Sequence, residues 1–219
     1  MQTERLRGAL PTTSYRSRML LVLSLGWATL QAGRFLLPPL LPPITDTFAL
    51  SSGGAGLALT AFGLVYAVTQ YPSGTYSDSL SRATLILPGF LVLLVGFALV
   101  GIGPTALVFI VGLLLLGIGK GLFASPARVL LGDLFAGSRG RALGIFSAGT
   151  DLGGLIAAGL AAAVLATTVW RVAFAPIVVL VALVAVLFVA WNRESYTVEP
   201  VPLEPGETVR RIVATRIQR

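Results

Sequence analysis

The sequence contains no cysteine and no histidine among its 219 residues. Without cysteine there are no disulfide bonds or thiolate chemistry, and without either residue the commonest zinc sites and imidazole catalysis are excluded. Charged residues are scarce at 11% of the chain, whereas soluble domains usually carry about 25%. No carboxylate pair, nucleophile–base set or metal-ligand cluster stands out. We therefore expect an integral membrane protein that is not an enzyme and has no cofactor.

The net charge of +7 does not indicate a nucleic-acid partner. The basic residues stand beside apolar stretches along the whole chain instead of forming one patch. A lipid bilayer is the partner that this pattern predicts.

Long charge-free stretches predict an all-α membrane protein built as a bundle of six transmembrane helices. Each crossing needs roughly 20 mostly apolar residues. The charge-free run 83–119 is too long for one crossing, and the Gly101–Pro104 break divides it. The first helix is expected to end at a proline cluster in residues 38–43. The predicted helices cover residues 19–41, a segment capped by Ser51 and Ser52, and residues 83–101, 105–128, 142–166 and 170–191.

The distribution of arginine predicts the orientation, because cytoplasmic loops are enriched in basic residues. Thirteen arginines fall on the side of the N-terminus and one, Arg171, on the other. We expect a plasma-membrane protein with both termini cytoplasmic. The thirteen are Arg5, Arg7, Arg16, Arg18, Arg82, Arg128, Arg139, Arg141, Arg193, Arg210, Arg211, Arg216 and Arg219.

The expected organisation is a cytoplasmic segment at 1–18, the bundle at 19–192 and a cytoplasmic tail at 193–219. Residues 207–219 form either a short basic amphipathic helix on the membrane surface or a disordered tail.

Three charged residues lie inside the predicted spans, where a charge costs about 2.5–3.5 kcal/mol on insertion scales. Lys120 and Asp151 fall at matching depths in helices four and five. They are expected to form a pair coupled to a proton or substrate, or a static ion pair, or to make no contact. Arg34 has no acidic partner within the spans and either binds an anionic group or extends towards the membrane surface.

Three uncharged polar residues are candidates to line a cavity with these charges. Tyr66 and Gln70 are one helical turn apart and share a face, and Gln31 precedes Arg34 by about one turn. An interhelical hydrogen bond is the alternative role for each. Small residues at every fourth position predict close helix packing in lipid; these are Gly117 and Gly121, and Gly149, Gly153, Ala157 and Ala161.

The segment from Gly74 to Arg82 resembles the loop signature of the major facilitator superfamily. Gly74, Asp78 and Arg82 match it, whereas Ser79 and Ser81 depart from it. The resemblance extends over residues 19–192. Its other parts are the Leu-Pro-Pro-rich end of helix one, residues 70–74, 139–144 and 170–171, and an antiporter-like Gly-rich segment at 149–154 in which Thr150 replaces a proline.

The resemblance implies secondary transport of a small solute by alternating access, with protons as the expected coupling ion. It also implies a cytoplasmic gate in which Asp78 caps a helix of the other half, with Arg82 as its charge partner and Asp133 as the acid of helix four. Substrate or proton coupling would fall to Arg34, Lys120, Asp151, Gln31, Tyr66 and Gln70.

The family has two six-helix halves with the substrate site between them, and this sequence corresponds to the N-terminal half and the start of the central loop. The second half is then a separate polypeptide or a second copy of this chain. The alternative is a truncated transporter or a regulatory membrane subunit without transport activity of its own.

Overall fold

Six long helices make up the computed structural model, which describes residues 13–77, 81–166 and 169–194, without the side chains of residues 13–14 and 75–77. All six are long and apolar enough to cross a membrane, which confirms the predicted all-α, six-span architecture. The predicted tail beyond residue 194 lies outside the described residues. The helices are α1 Thr13–Phe48, α2 Ser52–Ser77, α3 Arg82–Ile102, α4 Ala106–Leu134, α5 Arg139–Leu165 and α6 Phe174–Trp191, with 3-10 turns at Ala136–Ser138 and Trp170–Ala173.

The predicted end of the first helix at its proline cluster is wrong. The helix α1 continues through four prolines at 38, 39, 42 and 43 to Phe48. Proline removes a backbone donor, but in a membrane helix neighbouring groups can satisfy the backbone again. Thr45 and Thr47 donate hydroxyl hydrogen bonds of 2.7 and 2.6 Å to the carbonyls of Pro42 and Pro43.

The connections between helices follow the predicted breaks. Ser51 caps α2, since its hydroxyl oxygen accepts a hydrogen bond of 3.1 Å from the Gly54 backbone N–H. Gly103 ends α3 by donating its N–H to the Leu99 carbonyl at 2.8 Å. Thr105 then caps α4 through a 3.3 Å hydrogen bond from the Val108 N–H. The Gly101–Pro104 break therefore divides the long apolar run as predicted.

Helices that are adjacent in space are mostly not adjacent in sequence. Helix α4 packs on both α2 and α3, helix α6 packs on α3 and α1, and α1 packs on α5. The order in space is thus α2, α4, α3, α6, α1, α5. Contacts between α1 and α4 are few, which leaves room for a cavity between them.

Glycines allow the closest of these contacts, and the predicted packing of the small-residue stripes is confirmed. A methyl group on Gly153 of α5 would lie 2.6 Å from the Ala28 carbonyl oxygen of α1. One on Gly121 of α4 would lie 2.7 Å from Thr69 Cβ of α2. Both stripes therefore hold neighbouring backbones together.

The outer surfaces of the helices differ in character. The exposed faces of α2, α3, α5 and α6 all carry large apolar side chains, among them Leu64, Val95 and Val186. The exposed faces of α2 and α5 include glycines with open space around them, such as Gly63 and Gly159. Helices α2 and α5 are also the least enclosed, with 17% and 28% of their spans buried, against 39–67% for the other four.

Candidate functional site

Lys120 lies in the middle of α4, inside the bundle and only 6% exposed. Its ammonium nitrogen is 4.3 Å from the ring centroid of Tyr66 and 5.8 Å from those of Trp27 and Phe62. Ring faces carry partial negative charge, so they stabilise a desolvated cation by about 2 kcal/mol or more. The three rings form an aromatic cage around the ammonium group.

The indole ring of Trp27 contacts a second cation besides Lys120. The Arg128 guanidinium carbon lies 5.1 Å from the Trp27 ring centroid, and Phe146 stacks on the same ring at 5.3 Å. Trp27 Nε1–H donates a 2.9 Å hydrogen bond to the hydroxyl oxygen of Thr150 on α5. That bond fixes the plane of the indole between Lys120 and Arg128.

Arg34 shares a cavity with Lys120. A small cavity enclosed by α1, α2, α3 and α4 is lined by both cations, and Arg34 also lines an adjoining cavity of about 200 Å³ between α1 and α2. The Arg34 guanidinium carbon is 5.3 Å from the Phe35 ring centroid. The other residues of the small cavity are apolar: Leu30, Leu37, Phe62, Leu93, Phe97 and Leu116.

The three polar candidates lie in different surroundings. Gln31 is 3% exposed and faces Gly153 of α5, and its side-chain oxygen is buried without a hydrogen-bond partner among the described residues. Tyr66 forms one wall of the aromatic cage. Gln70 is half-buried one turn further along α2, where its backbone packs on Gly121 of α4.

Asp151 and Lys120 do not form the predicted ion pair. Among the described residues, the ion pair present joins Arg82 and Asp133. Lys120 points into the aromatic cage, whereas Asp151 is exposed on the outside of α5. Lys120 lies 14 residues before the end of α4 and Asp151 lies 12 residues after the start of α5, but the two side chains leave their helices in different directions.

Asp151 instead lines a groove between α1 and α5. The groove has a volume of about 680 Å³ and is otherwise apolar apart from the Thr150 hydroxyl, which already accepts the Trp27 hydrogen bond. Its lining residues are Phe35, Pro39, Thr150, Asp151, Gly154, Ala158, Ala161, Ala162 and Leu165.

Charged residues cluster at the end of the bundle where α1, α3 and α5 begin, hereafter the basic end. Arg82, at the start of α3, places Nη2 2.6 Å from Oδ2 of Asp133 near the end of α4. The carboxylate of Glu194, just after α6, accepts a 3.2 Å hydrogen bond from the Ala83 N–H. Gly74 is half-buried near Ser125, and Asp78 lies outside the described residues.

Sequence reasoning missed the aromatic cage, although a signal for it was present. Trp27, Gln31 and Arg34 follow one another at spacings of four and three residues, which places them on one face of α1. Phe62 and Tyr66 are four residues apart on α2. Extending the polar faces to their aromatic neighbours would have identified the cage.

The sequence matches the model of the Major Facilitator Superfamily over residues 23–217. The uncharacterized MFS-type transporter YceJ of Bacillus subtilis (strain 168) is 39% identical over 71 residues, which are 32% of this chain and 18% of that protein.

Solved structures of transporters share the fold. A bacterial homologue of the human lysosomal transporter Spinster, inward-facing and unoccupied, has a TM-score of 0.74 at 22% identity, covering 93% of this chain and 50% of its own. Tetrameric PepTSo2 has a TM-score of 0.71 at 18% identity, with coverages of 91% and 47%. The chain thus spans about half the length of these solved relatives.

Proposed function

The chain belongs to the major facilitator superfamily, and on that basis we propose that it is one six-helix half of a secondary transporter that moves a small solute by alternating access. The family is one of membrane transporters, which agrees with the expectation that the chain is not an enzyme. The match to about half of each solved relative supports the description as a half.

The second half of this transporter would pack against α2 and α5. Their exposed faces contain glycines that allow close approach of another helix, whereas the exposed faces of α3 and α6 contain none. The partner is another six-helix bundle, supplied by a separate polypeptide or by a second copy of this chain.

The substrate would carry an anionic group that binds between Arg34 and Lys120. This pair is the observation that carries the proposal: two cations line one small cavity, and among the described residues no carboxylate lines it. Lys120 is buried and Arg34 is exposed, and an anion between the two cations would lower the electrostatic energy of both. Tyr66 and Gln31 would add hydrogen bonds, with Gln70 one turn away on the Tyr66 face.

Proton coupling is part of the proposal, with Lys120 and Asp151 as candidate carriers. Because they are not paired in the structure, each would act alone, and each must be tested by its own substitution.

The gate would lie at the basic end, on the cytoplasmic side of the plasma membrane. The Arg82–Asp133 ion pair ties the start of α3 to the end of α4, and Asp78 precedes Arg82 by four residues in the sequence. Asp78 would cap a helix of the partner bundle in one of the two conformations, with Gly74 letting the α2 end approach α4.

Uptake into proteoliposomes tests the proposal, with radiolabelled succinate, citrate and glutamate as probes that do not cross lipid unaided. The chain is reconstituted as purified and together with its co-purified partner. We expect saturable uptake that falls at least tenfold in Lys120→Met and Arg34→Gln and is largely kept in Lys120→Arg. Arg141→Gln, which removes an exposed arginine at the basic end, is the matched control.

Proton coupling has a separate readout in the same vesicles. Dissipating the pH gradient with an ionophore should slow uptake by the unmodified chain. Asp151→Asn or Lys120→Arg should remove this sensitivity, because neither asparagine nor arginine releases a proton near neutral pH. If folded protein in both preparations takes up none of the three probes above the protein-free level, the alternative of an inactive or regulatory subunit is favoured.

A further inference from the structure

We infer that the groove between α1 and α5 is a binding site for a small lipophilic organic cation, held by the carboxylate of Asp151. The inference concerns binding by the chain itself. It therefore holds or fails separately from the proposed transport of an anion by Arg34 and Lys120.

Position and surroundings make Asp151 unusual among the described acidic residues. Asp46, Asp133 and Glu194 all lie near helix ends, where water can reach them, whereas Asp151 is twelve residues into α5 at membrane depth. It forms no ion pair in the described part of the chain. A carboxylate exposed on a membrane-spanning helix is costly unless a cation or water-filled cavity accompanies it.

The chemistry of the groove selects a cation with apolar substituents. Aromatic rings stabilise the positive charge of Lys120, but they cannot stabilise a carboxylate, because the ring faces are negative. The groove walls offer alanine, proline and leucine side chains and the ring of Phe35, which can contact apolar groups and a cation together. Its volume of about 680 Å³ lies within the range of about 300–1,000 Å³ typical of sites for small molecules.

Arg34 is an alternative source of positive charge, since its guanidinium lies over the ring of Phe35, which also lines the groove. It does not reach Asp151 in the structure. The groove and the small cavity therefore have opposite charge preferences on the two sides of α1: Asp151 attracts cations, and Arg34 with Lys120 attracts anions.

Equilibrium binding of tetraphenylphosphonium to the full chain in phosphatidylcholine nanodiscs tests the inference, with empty nanodiscs as the blank. Tetraphenylborate has the same shape and the opposite charge, so it separates charge recognition from partition into lipid. We expect saturable binding of tetraphenylphosphonium and no saturable binding of tetraphenylborate. The affinity for tetraphenylphosphonium should fall at least tenfold in Asp151→Asn. Asp46→Asn, which neutralises an exposed acid at a helix end, should bind like the unmodified chain.

A second variant tests the groove without touching the charge. Ala158→Trp places a large side chain in the exposed part of the groove, and it should also weaken tetraphenylphosphonium binding at least tenfold while the circular dichroism spectrum is unchanged.

Three results would overturn the inference. The first is equal binding of both ions, or binding that survives Asp151→Asn, which indicates partition into lipid. The second is unchanged binding in Ala158→Trp. The third is a dimeric chain that Asp151→Asn converts to monomers while cation binding is unaffected, which would assign the groove to a basic side chain of a second copy.

Discussion

At the scale of single residues, the cage around Lys120 shows how the bundle tolerates a buried ammonium group. Three rings replace part of its hydration, and Arg34 and Arg128 lie nearby without an ion-pair partner among the described residues. Such an arrangement costs stability, and an expensive charge inside a membrane protein usually serves function.

Lys120→Met should therefore keep or raise the thermal stability of the chain while it abolishes anion uptake. Methionine has a similar length and needs no hydration. A gain of 1 kcal/mol in a chain of this size would raise the unfolding temperature by roughly 2–4 °C, measured by circular dichroism in detergent. A fall of several degrees would mean that the ammonium group holds the bundle together.

Trp27 and Thr150 allow the energy of the bond between α1 and α5 to be measured. Trp27→Phe and Thr150→Val each remove one partner of the 2.9 Å hydrogen bond. A double-mutant cycle on the free energy of unfolding should give a coupling energy of about 0.6–1.5 kcal/mol. Strictly additive effects would show that the bond contributes nothing beyond packing.

At the scale of helices, glycine decides how closely α1 and α5 approach. Gly153→Ala should lower the unfolding temperature, because the new methyl group would lie 2.6 Å from the Ala28 carbonyl oxygen and 2.8 Å from the Ala32 nitrogen. Gly159→Ala on the same helix meets nothing within 4 Å, so its higher helix propensity should leave stability unchanged or raised. The two variants differ only in position, and equal melting temperatures would contradict the packing argument.

The sequence predicted the helices better than it predicted their contacts. Charge-free length gives the number of crossings directly, since each residue adds a fixed rise. The predicted end at residue 41 failed because a rule from soluble helices was applied to a segment whose neighbours in a membrane bundle can satisfy the backbone again.

Two side chains contact each other only if they lie at a similar depth and also leave their helices towards each other. Lys120 and Asp151 lie at similar distances from the adjoining ends of α4 and α5, yet one faces the aromatic cage and the other the outer groove. Only the packing order of the helices supplies that direction, and a single sequence without pairing information does not contain it.

At the scale of the whole molecule, the outer faces of α2 and α5 are expected to contact a partner bundle, and those of α3 and α6 are expected to contact lipid. The lack of cysteine in the sequence makes single-cysteine variants specific reporters of this difference. Leu155 on α5 and Val186 on α6 are similarly exposed, at 71% and 65%, so they form a matched pair.

Leu155→Cys should be shielded from a lipid-soluble maleimide when the partner bundle is present, or form a disulfide-linked dimer under oxidation if the partner is a second copy. Val186→Cys should be labelled by the maleimide to the same extent in every preparation and form no dimer, because α6 is expected to face lipid. Mass spectrometry of the labelled chain gives both readouts. Equal labelling of the two positions in the presence of the partner would exclude α5 from the interface.

The chain's three tryptophans stand at three levels of the bundle. Trp191 lies at the basic end beside Arg18, Trp27 lies in the middle between Lys120 and Arg128, and Trp170 lies at the opposite end, donating to Thr47. Replacing any two by phenylalanine leaves one natural fluorophore at a known height. Fluorescence from the remaining tryptophan would then report the surroundings at one depth of the bundle. With Trp27 alone, that depth is the level of the cations proposed to bind substrate.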